Sequence, residues 1–409
     1  MPATSFDKSK IKILLLEGIH DNAVRTFREA GYESIVRRSG AVPEAELPEL
    51  VREVHFLGIR SRTHLTAEVL GAAEKLVAVG AFCIGTNQID LEAASAQGVA
   101  VFNAPFSNTR SVAELVLAEA ILLLRGVPEK NAKAHRGEWS KSVGTSREIR
   151  GKTLGIVGYG NIGKQLSVLA EGLGMRVVFH DTSDVLPLGN ARPVPKLADV
   201  LHEADVVTLH VPDTLDTQGM IGRDEIARMK EDAVLINASR GSVVDLDALA
   251  AALDGGMLAG AAVDVYPTEP RSNDDPFESP MRGIDRALLT PHIGGSTIEA
   301  QENIGAEVAG KLVRYSDTGT TETSVNFPEV VLPPHPRCHR ILHVHQNVPG
   351  VLAAINGVFS AQGVNVDAQF LQTRGHLGYV VTDIDCETSD GVLGSLRQID
   401  GTLRTRVLY

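Results

Sequence analysis

Cysteine is scarce in this chain: among 409 residues only Cys83, Cys338 and Cys386 occur. Three thiols this far apart build neither a disulfide framework nor a C-x-x-C site, so a reducing compartment, the cytoplasm, is expected. Aromatic residues make up 4% of the chain, and 39 Lys and Arg are outnumbered by 51 Asp and Glu. The resulting formal charge of −12 opposes general affinity for nucleic acid or an anionic membrane, and no basic run interleaved with aromatics offsets it. Long apolar runs are also lacking. Residues 11–19, IKILLLEGI, are too few to cross a bilayer and read as a first strand, and the segment before them lacks the apolar core of an export signal. Length and a hydrophobic share of 43% leave a globular chain of two or three domains.

What the chain does have is glycine in a telling place. Residues 153–163, TLGIVGYGNIG, join a β-branched apolar run to a G-x-G-x-x-G loop. Gly158 permits a tight turn out of the strand, Gly160 removes a side chain that would block a pyrophosphate, and Gly163 lets the next helix pack against the sheet. That helix, begun near Asn161, aims unpaired N–H groups and its positive dipole end at the phosphates. A second strand at 176–180 ends in Asp181, placed to accept hydrogen bonds from both ribose hydroxyls and to repel a 2′-phosphate, which favours NAD over NADP.

Strand-like and helix-like segments alternate on both sides of this loop, as in parallel sheets with crossover helices. Strands are expected at 11–16, 34–36, 56–59, 76–79 and 99–102, then at 206–210, 234–237, 260–265 and 287–290, with a long helix at 112–124 and another at 297–315. A cleft between two such lobes would hold the active site. Residues 318–340 are proline-punctuated, cannot form a continuous helix and read as a linker. The remainder follows the order βαββαβ of a ferredoxin-like module, with strands at 341–345, 364–371, 379–385 and 402–408 and helices at 350–362 and 391–399.

Three stretches carry further chemistry: NASRG (237–241) with Arg240, AVDVYPTEP (262–270) with Asp264 and Glu269, and TPHIGGS (290–296) with His292. Oxidising a secondary alcohol next to a carboxylate needs a base for the hydroxyl proton and a cation to orient the carboxylate. His292 and Arg240 supply these, and Glu269 is suited to fix the imidazole tautomer and raise its pKa. Singly, each residue has an ordinary structural reading; the order in which they follow a nucleotide loop is specific. Arg60 and Arg62 in GIRSRTHLT form a pair suited to a phosphate or carboxylate, with Ser61 between them, and Asn108 offers another polar substrate contact.

On GYGNIG, NASRG, AVDVYPTEP and PHIGGS the chain resembles the NAD-dependent D-2-hydroxyacid dehydrogenases. The resemblance implies two Rossmann-like, doubly wound lobes, with Arg240, Glu269 and His292 catalytic and Gly158, Gly160, Asn161, Ile162, Gly163, Asp181, Ala238, Ser239, Asp264, Gly294 and Gly295 at the NAD site. The C-terminal module, with HVHQNVPGVLAAINGVFSAQGVNV, is similar to ACT domains. The combination implies oxidation of 3-phosphoglycerate to 3-phosphohydroxypyruvate at the start of serine biosynthesis. Feedback by L-serine would act at His345, Asn347 and Asn365, and the assembly would be a homotetramer with Trp139 and Lys141 in an intersubunit segment. The implied domains are a discontinuous substrate lobe (1–107 and 296–330), an NAD domain (108–295), a linker (331–339) and an ACT domain (340–409). Close relatives carry a glycine pair in the linker where Pro336 and Arg337 stand here, which leaves coupling between domains less supported than binding.

Three rival readings remain. The same fold could take 2-oxoglutarate, glyoxylate or lactate, and a non-enzymatic NAD sensor would keep the loop without the acid/base pair. A zinc site at His335, Cys338, His339, His343 and His345 lacks ligand spacing of any standard kind, so no metal is expected.

Overall fold

The computed structural model describes residues 7–144, 146–270, 274–333, 339–385 and 390–408. The chain forms two compact units, one made of Met1–Ser107 with Gln301–Tyr409 and the other of Asn108–Ala300. Among the described residues no helix is long and apolar enough to cross a membrane.

The first unit holds a parallel sheet of β1 (Ile13–Leu15), β2 (Ile35–Arg37), β3 (Phe56–Ile59), β4 (Ala78–Ala81) and β5 (Ala100–Phe102), in the order β2-β1-β3-β4-β5. Every residue of β1, β3, β4 and β5 is buried, as a sheet covered on both faces requires. The short helices Ala67–Ala72 and Leu91–Ala96 begin at Thr66 and Asp90, whose side chains accept the N–H groups of Val69 and Ala93. Helix Ile298–Thr318 adds Ile304, Val308, Leu312 and Tyr315 to a core with Ile13, Phe27 and Phe102.

The second unit is an all-parallel sheet of β6 (Thr153–Val157), β7 (Arg176–His180), β8 (Arg192–Pro193), β9 (Val206–Leu209), β10 (Val234–Asn237), β11 (Gly260–Val263) and β12 (Ala287–Leu289). Its order is β12-β11-β10-β9-β6-β7-β8. The strand order therefore reverses between β6 and β9, and in open α/β sheets ligands bind beyond the carboxyl ends at such a switch point. The long helix runs over Thr109–Leu124, three residues earlier than its apolar pattern suggests.

In the C-terminal segment β13 (His339–Gln346), β14 (Val366–Arg374), β15 (Leu377–Ile384) and β16 (Thr402–Leu408) form an antiparallel sheet in the order β14-β15-β13-β16. Helices Val351–Ala361 and Asp390–Leu396 cover one face through Val351, Ile355, Phe359, Val392 and Leu396. This is the ferredoxin-like order expected from the sequence. The other face, with Leu342, Val344, Tyr379 and Val381, joins the core of the first unit.

The segment read as a linker is more structured than its prolines suggest. Helix Ile298–Thr318 extends to Thr318, and Asn326 replaces a strand partner at the edge of β5: its Oδ1 accepts the Val101 N–H (2.8 Å) and its Nδ2 donates to the Val99 carbonyl (2.9 Å). Phe327, Val330 and Leu332 are buried with the rest of that core. Arg340 on β13 is fully buried and forms a bidentate pair with Asp383, its partner across β15, at 2.6 and 2.7 Å. Its remaining nitrogen donates to the carbonyls of Thr318 (3.0 Å) and Pro333 (2.9 Å). Pro336, Arg337, His335, Cys338 and Cys386 lie outside the described residues.

Candidate active site

The glycine loop shows three different backbone demands. Gly158 has φ +90°, and a Cβ there would lie 2.4 Å from the His210 carbonyl oxygen. At Gly163 a Cβ would lie 2.5 Å from the Gly158 oxygen, so the helix Asn161–Gly172 packs onto the turn only because the side chain is absent. A Cβ on Gly160 would meet nothing within 4 Å: the space it leaves is open. Turn, packing and an open approach are the three roles a pyrophosphate cradle assigns to its glycines. Asp181, at the end of β7, accepts the N–H of Tyr159 (2.7 Å) and of Ser183 (2.9 Å), which fixes its carboxylate against the loop. Tyr159 in turn stacks on Phe179 at 3.7 Å. Asn161 and Ile162 open the helix. The residues present fit NAD.

The other elements converge because β10, β11 and β12 are neighbours and the chain leaves each at the same end. After β10, Asn237 accepts from the Ser239 N–H (3.1 Å) and hydroxyl (2.9 Å) and donates to the Arg240 carbonyl (3.0 Å), folding Ala238 and Ser239 into a tight bend. Gly241 packs directly on the backbone of the neighbouring loop, since a Cβ there would lie 2.0 Å from the Tyr266 carbonyl carbon. This glycine is what lets the Arg240 loop and the Glu269 loop touch. The sequence reading assigned it no role, although it closes the NASRG motif.

Asp264, which follows β11, is 2% exposed. Its carboxylate accepts from Thr290 Oγ1 (2.7 Å) and from the N–H groups of Ile293 and Gly294 (2.8 Å each). It thereby grips the loop on both sides of His292, a positioning task that the sequence gives no direct hint of. His292 itself has φ +54°, a left-handed backbone that a side chain tolerates only where its surroundings dictate it. Its Nδ1 faces both oxygens of Glu269, at 3.0 and 2.9 Å, and Glu269 Oε1 also accepts the Tyr266 N–H (3.2 Å). With Nδ1 held there, Nε2 is left for substrate.

The hydrogen bond to Glu269 raises the His292 pKa, against the opposing effect of burial, and the Glu269 charge adds to the rise. For Glu269 burial pushes upward, but the hydrogen bond and charge of His292 prevail and the carboxyl titrates below its ordinary value. Arg240 acts electrostatically on both partners, lowering each. Asn108, at the start of helix Thr109–Leu124, is 9% exposed, and its Oδ1 has no hydrogen-bond partner among the described residues. Its Nδ2 would lie 2.3 Å from a Cβ on Gly295, which explains that glycine.

Glu119 is unexpected. It lies on the buried face of helix Thr109–Leu124, is 3% exposed, and neither carboxylate oxygen has a hydrogen-bond partner among the described residues. Leu123 abuts Gly260 at the start of β11, and Val112 abuts Gly294 beyond its end, so Glu119 lies alongside the middle of that path. Burial, and then the charge of Asp264, push its carboxyl up to about 8. It is therefore uncharged at neutral pH.

Arg60, Ser61 and Arg62 lie in the first unit, directly after β3, with Ser61 and Arg62 exposed and Arg60 partly so. In the C-terminal sheet, His343 and His345 share one face of β13, with Nδ1 atoms 3.4 Å apart. The Thr402 hydroxyl is within hydrogen-bond distance of the Leu396 carbonyl (3.0 Å) and of His343 Nε2 (3.0 Å). His345 Nε2 lies beside Gly378, where a Cβ would stand 2.3 Å from it. Burial, and then the His345 ring, push His343 down to about 4, so the His343 ring is neutral. Asn347 Nδ2 donates to the Gly375 carbonyl, and its N–H is taken by the His376 carbonyl (2.8 Å). Asn365 Nδ2 donates to Asp367 (3.1 Å). Among the described residues no group of three or more His, Cys, Asp or Glu side chains is arranged to hold a metal ion.

Residues 117–294 match the family described as D-isomer specific 2-hydroxyacid dehydrogenase, NAD binding domain, and residues 341–404 match an AHAS small subunit-like ACT domain. The chain is 58% identical, over 100% of both lengths, to the D-3-phosphoglycerate dehydrogenase of Escherichia coli (strain K12). It is 57% identical to the enzyme of that name from Haemophilus influenzae, over 99% of each. Among solved structures, a D-lactate dehydrogenase from Aquifex aeolicus complexed with NAD and lactic acid superposes with TM-score 0.63 at 26% identity, covering 74% of this chain and 95% of that one. The chain belongs to the NAD-dependent D-isomer specific 2-hydroxyacid dehydrogenases and carries an ACT domain at its C-terminal end.

Proposed function

We propose that this enzyme oxidises the C2 hydroxyl of D-3-phosphoglycerate to give 3-phosphohydroxypyruvate, the step that commits carbon to L-serine. The observation that carries the chemistry is the doubly hydrogen-bonded Glu269–His292 pair, with Arg240 acting electrostatically on both. His292 Nε2 accepts the hydroxyl proton, and Glu269 stabilises the imidazolium that results. The Arg240 guanidinium orients the substrate carboxylate and polarises the developing carbonyl. Bound NAD supplies the hydride acceptor. Gly158, Gly160, Gly163, Asn161 and Ile162 would hold its pyrophosphate, Asp181 its ribose, and Ala238, Ser239, Asp264, Gly294 and Gly295 the nicotinamide side. Arg60, Ser61, Arg62 and Asn108 would hold the substrate, the arginines taking its phosphate.

The ACT domain is assigned L-serine as effector. The His345 imidazole suits the polar groups of an amino acid, while Asn347 and Asn365 offer amides. Residues 331–339 join it to the substrate lobe, and the exposed Trp139 and the adjoining Lys141 segment are assigned to contacts within a cytoplasmic homotetramer. Initial rates of NADH formation test the assignment, with D-3-phosphoglycerate compared against D-glycerate, lactate and 2-hydroxyglutarate, each with and without L-serine. A rate on lactate or 2-hydroxyglutarate exceeding that on D-3-phosphoglycerate would replace the substrate. NADH binding without turnover on any of them would leave only a cofactor sensor.

A further inference from the structure

Beneath the Arg60–Arg62 loop lies a carboxylate that the mechanism does not use. Glu17 follows β1 with φ +59°, a left-handed backbone at a non-glycine residue. The turn is held by its own N–H to the Gly40 carbonyl (3.1 Å) and by the Gly18 N–H to the Arg38 carbonyl (3.0 Å). Strands β1 and β3 are parallel neighbours with Leu15 opposite Gly58, so Glu17 and Arg60 leave the sheet side by side. The Glu17 side chain is 1% exposed. Its Oε1 accepts the N–H groups of Arg60 and Thr63, and its Oε2 that of Arg62, all at 3.0 Å. Arg62 Nε stands 3.8 Å from Oε2, and Gln88 Nε2 donates to the Arg60 carbonyl (2.7 Å).

The amides of Arg60, Arg62 and Thr63 thus turn inward around one anion. They resemble an oxyanion-binding nest whose oxyanion is a protein side chain. A phosphate outside the loop meets the guanidinium groups without the help of those three N–H groups. We infer that Glu17 is the positioning residue of the substrate's phosphate subsite: its carboxylate fixes the backbone of residues 60–63 so that Arg60 and Arg62 present their side chains in one arrangement. The inference rests on the proposed role of those arginines.

The sign of one measurement separates positioning from plain electrostatics. Removing a negative charge from beneath two arginines strengthens their field, so by Coulomb's law alone Glu17→Gln lowers KM for a phosphorylated substrate. A glutamine, however, has a single acceptor oxygen for three N–H groups and turns its own NH2 against one of them, which loosens the loop. Positioning therefore raises KM for D-3-phosphoglycerate, by about tenfold, while kcat, the KM for D-glycerate and the NADH dissociation constant stay near those of the unmodified enzyme. Gln88→Ala, which frees the same loop from its other side, raises the same KM by a smaller factor and keeps the test available should Glu17→Gln fold poorly. In combination with Arg62→Ala, the Glu17→Gln effect shrinks, because the two residues act through one contact.

An unchanged or lowered KM in both Glu17→Gln and Gln88→Ala overturns the inference, as does equal loss on D-glycerate or of NADH binding, which marks general unfolding. Arg60→Ala and Arg62→Ala serve as the reference. If they raise KM for the phosphorylated substrate and the Glu17 and Gln88 variants do not, only the positioning role falls; if the arginine variants treat both substrates alike, the phosphate assignment and the inference fall together.

Discussion

Glu119 offers a sharp test of the electrostatics around β11. Its carboxyl is buried without a hydrogen-bond partner among the described residues, near Asp264, and titrates at about 8 instead of 4.5. Between those two values the unfolded chain gives up a proton that the folded chain retains, so the unfolded state binds fewer protons and stability falls as pH rises. At about 1.4 kcal/mol per pH unit the interval amounts to roughly 5 kcal/mol, reached in full above pH 8, and some relaxation of the charged form trims this to roughly 3–5 kcal/mol. Glu119→Gln keeps a polar group of similar size but cannot ionise. Below pH 5 it should match the parent to within about 1 kcal/mol, and at pH 9 it should be the more stable by most of that interval. Urea midpoints followed by circular dichroism at pH 5 and pH 9 measure the difference, and subtracting one protein from the other removes the contributions of every other group. Parallel pH dependence in the two proteins would show that Glu119 is ionised or solvated in the folded state and would refute the reasoning.

At the proposed active site, His292→Ala should lower kcat by about 100-fold or more, and Glu269→Gln should move the acidic limb of the pH–rate profile to lower pH. The sign follows because Glu269 raises the imidazole pKa and the reaction needs the neutral base; an unmoved profile removes Glu269 from that role. Asp181→Ala should weaken NAD and narrow its advantage over NADP, and competition titrations in which the unmodified enzyme already takes both equally would reject the ribose assignment. Asn347→Ala and Asn365→Ala should abolish inhibition by L-serine with little effect on activity in its absence. Calorimetry that detects no serine binding to the unmodified enzyme would withdraw the effector, and a coupling of about 1–3 kcal/mol is the size expected if it binds.

Much of the fold can be read from the chain because its strands are buried on both faces. Phe56–Ile59 and Val234–Asn237 begin and end where apolar or β-branched runs do. Strand β4 is displaced from 76–79 to Ala78–Ala81 because Leu76 faces the core from the approach to the strand, and core burial there looks the same as strand burial. Ala67–Ala72 and Leu91–Ala96 span too few turns for a helical repeat to register, and only their caps, Thr66 and Asp90, announce them.

In the site, Arg240, Glu269 and His292 stand out through motifs, whereas their meeting depends on the adjacency of β10, β11 and β12, which no local pattern encodes. Glu17 and Glu119 do not stand out in the sequence, because a lone acid reads as solvated. Glu119 falls three residues after Val116 and four before Leu123, on the apolar face of its helix, and that spacing is the signal that could have found it.

Arg340 bears on how the first unit comes apart. One guanidinium joins the last turn of helix Ile298–Thr318, the backbone at Pro333 and both middle strands of the C-terminal sheet. Parting from Asp383 strands a buried charge, which costs several kcal/mol, and parting from either carbonyl leaves a buried N–H short of an acceptor. The C-terminal sheet and the end of that helix are therefore a single cooperative opening unit, and their slowest amide protons should exchange with one common free energy in place of a separate, lower one for the sheet.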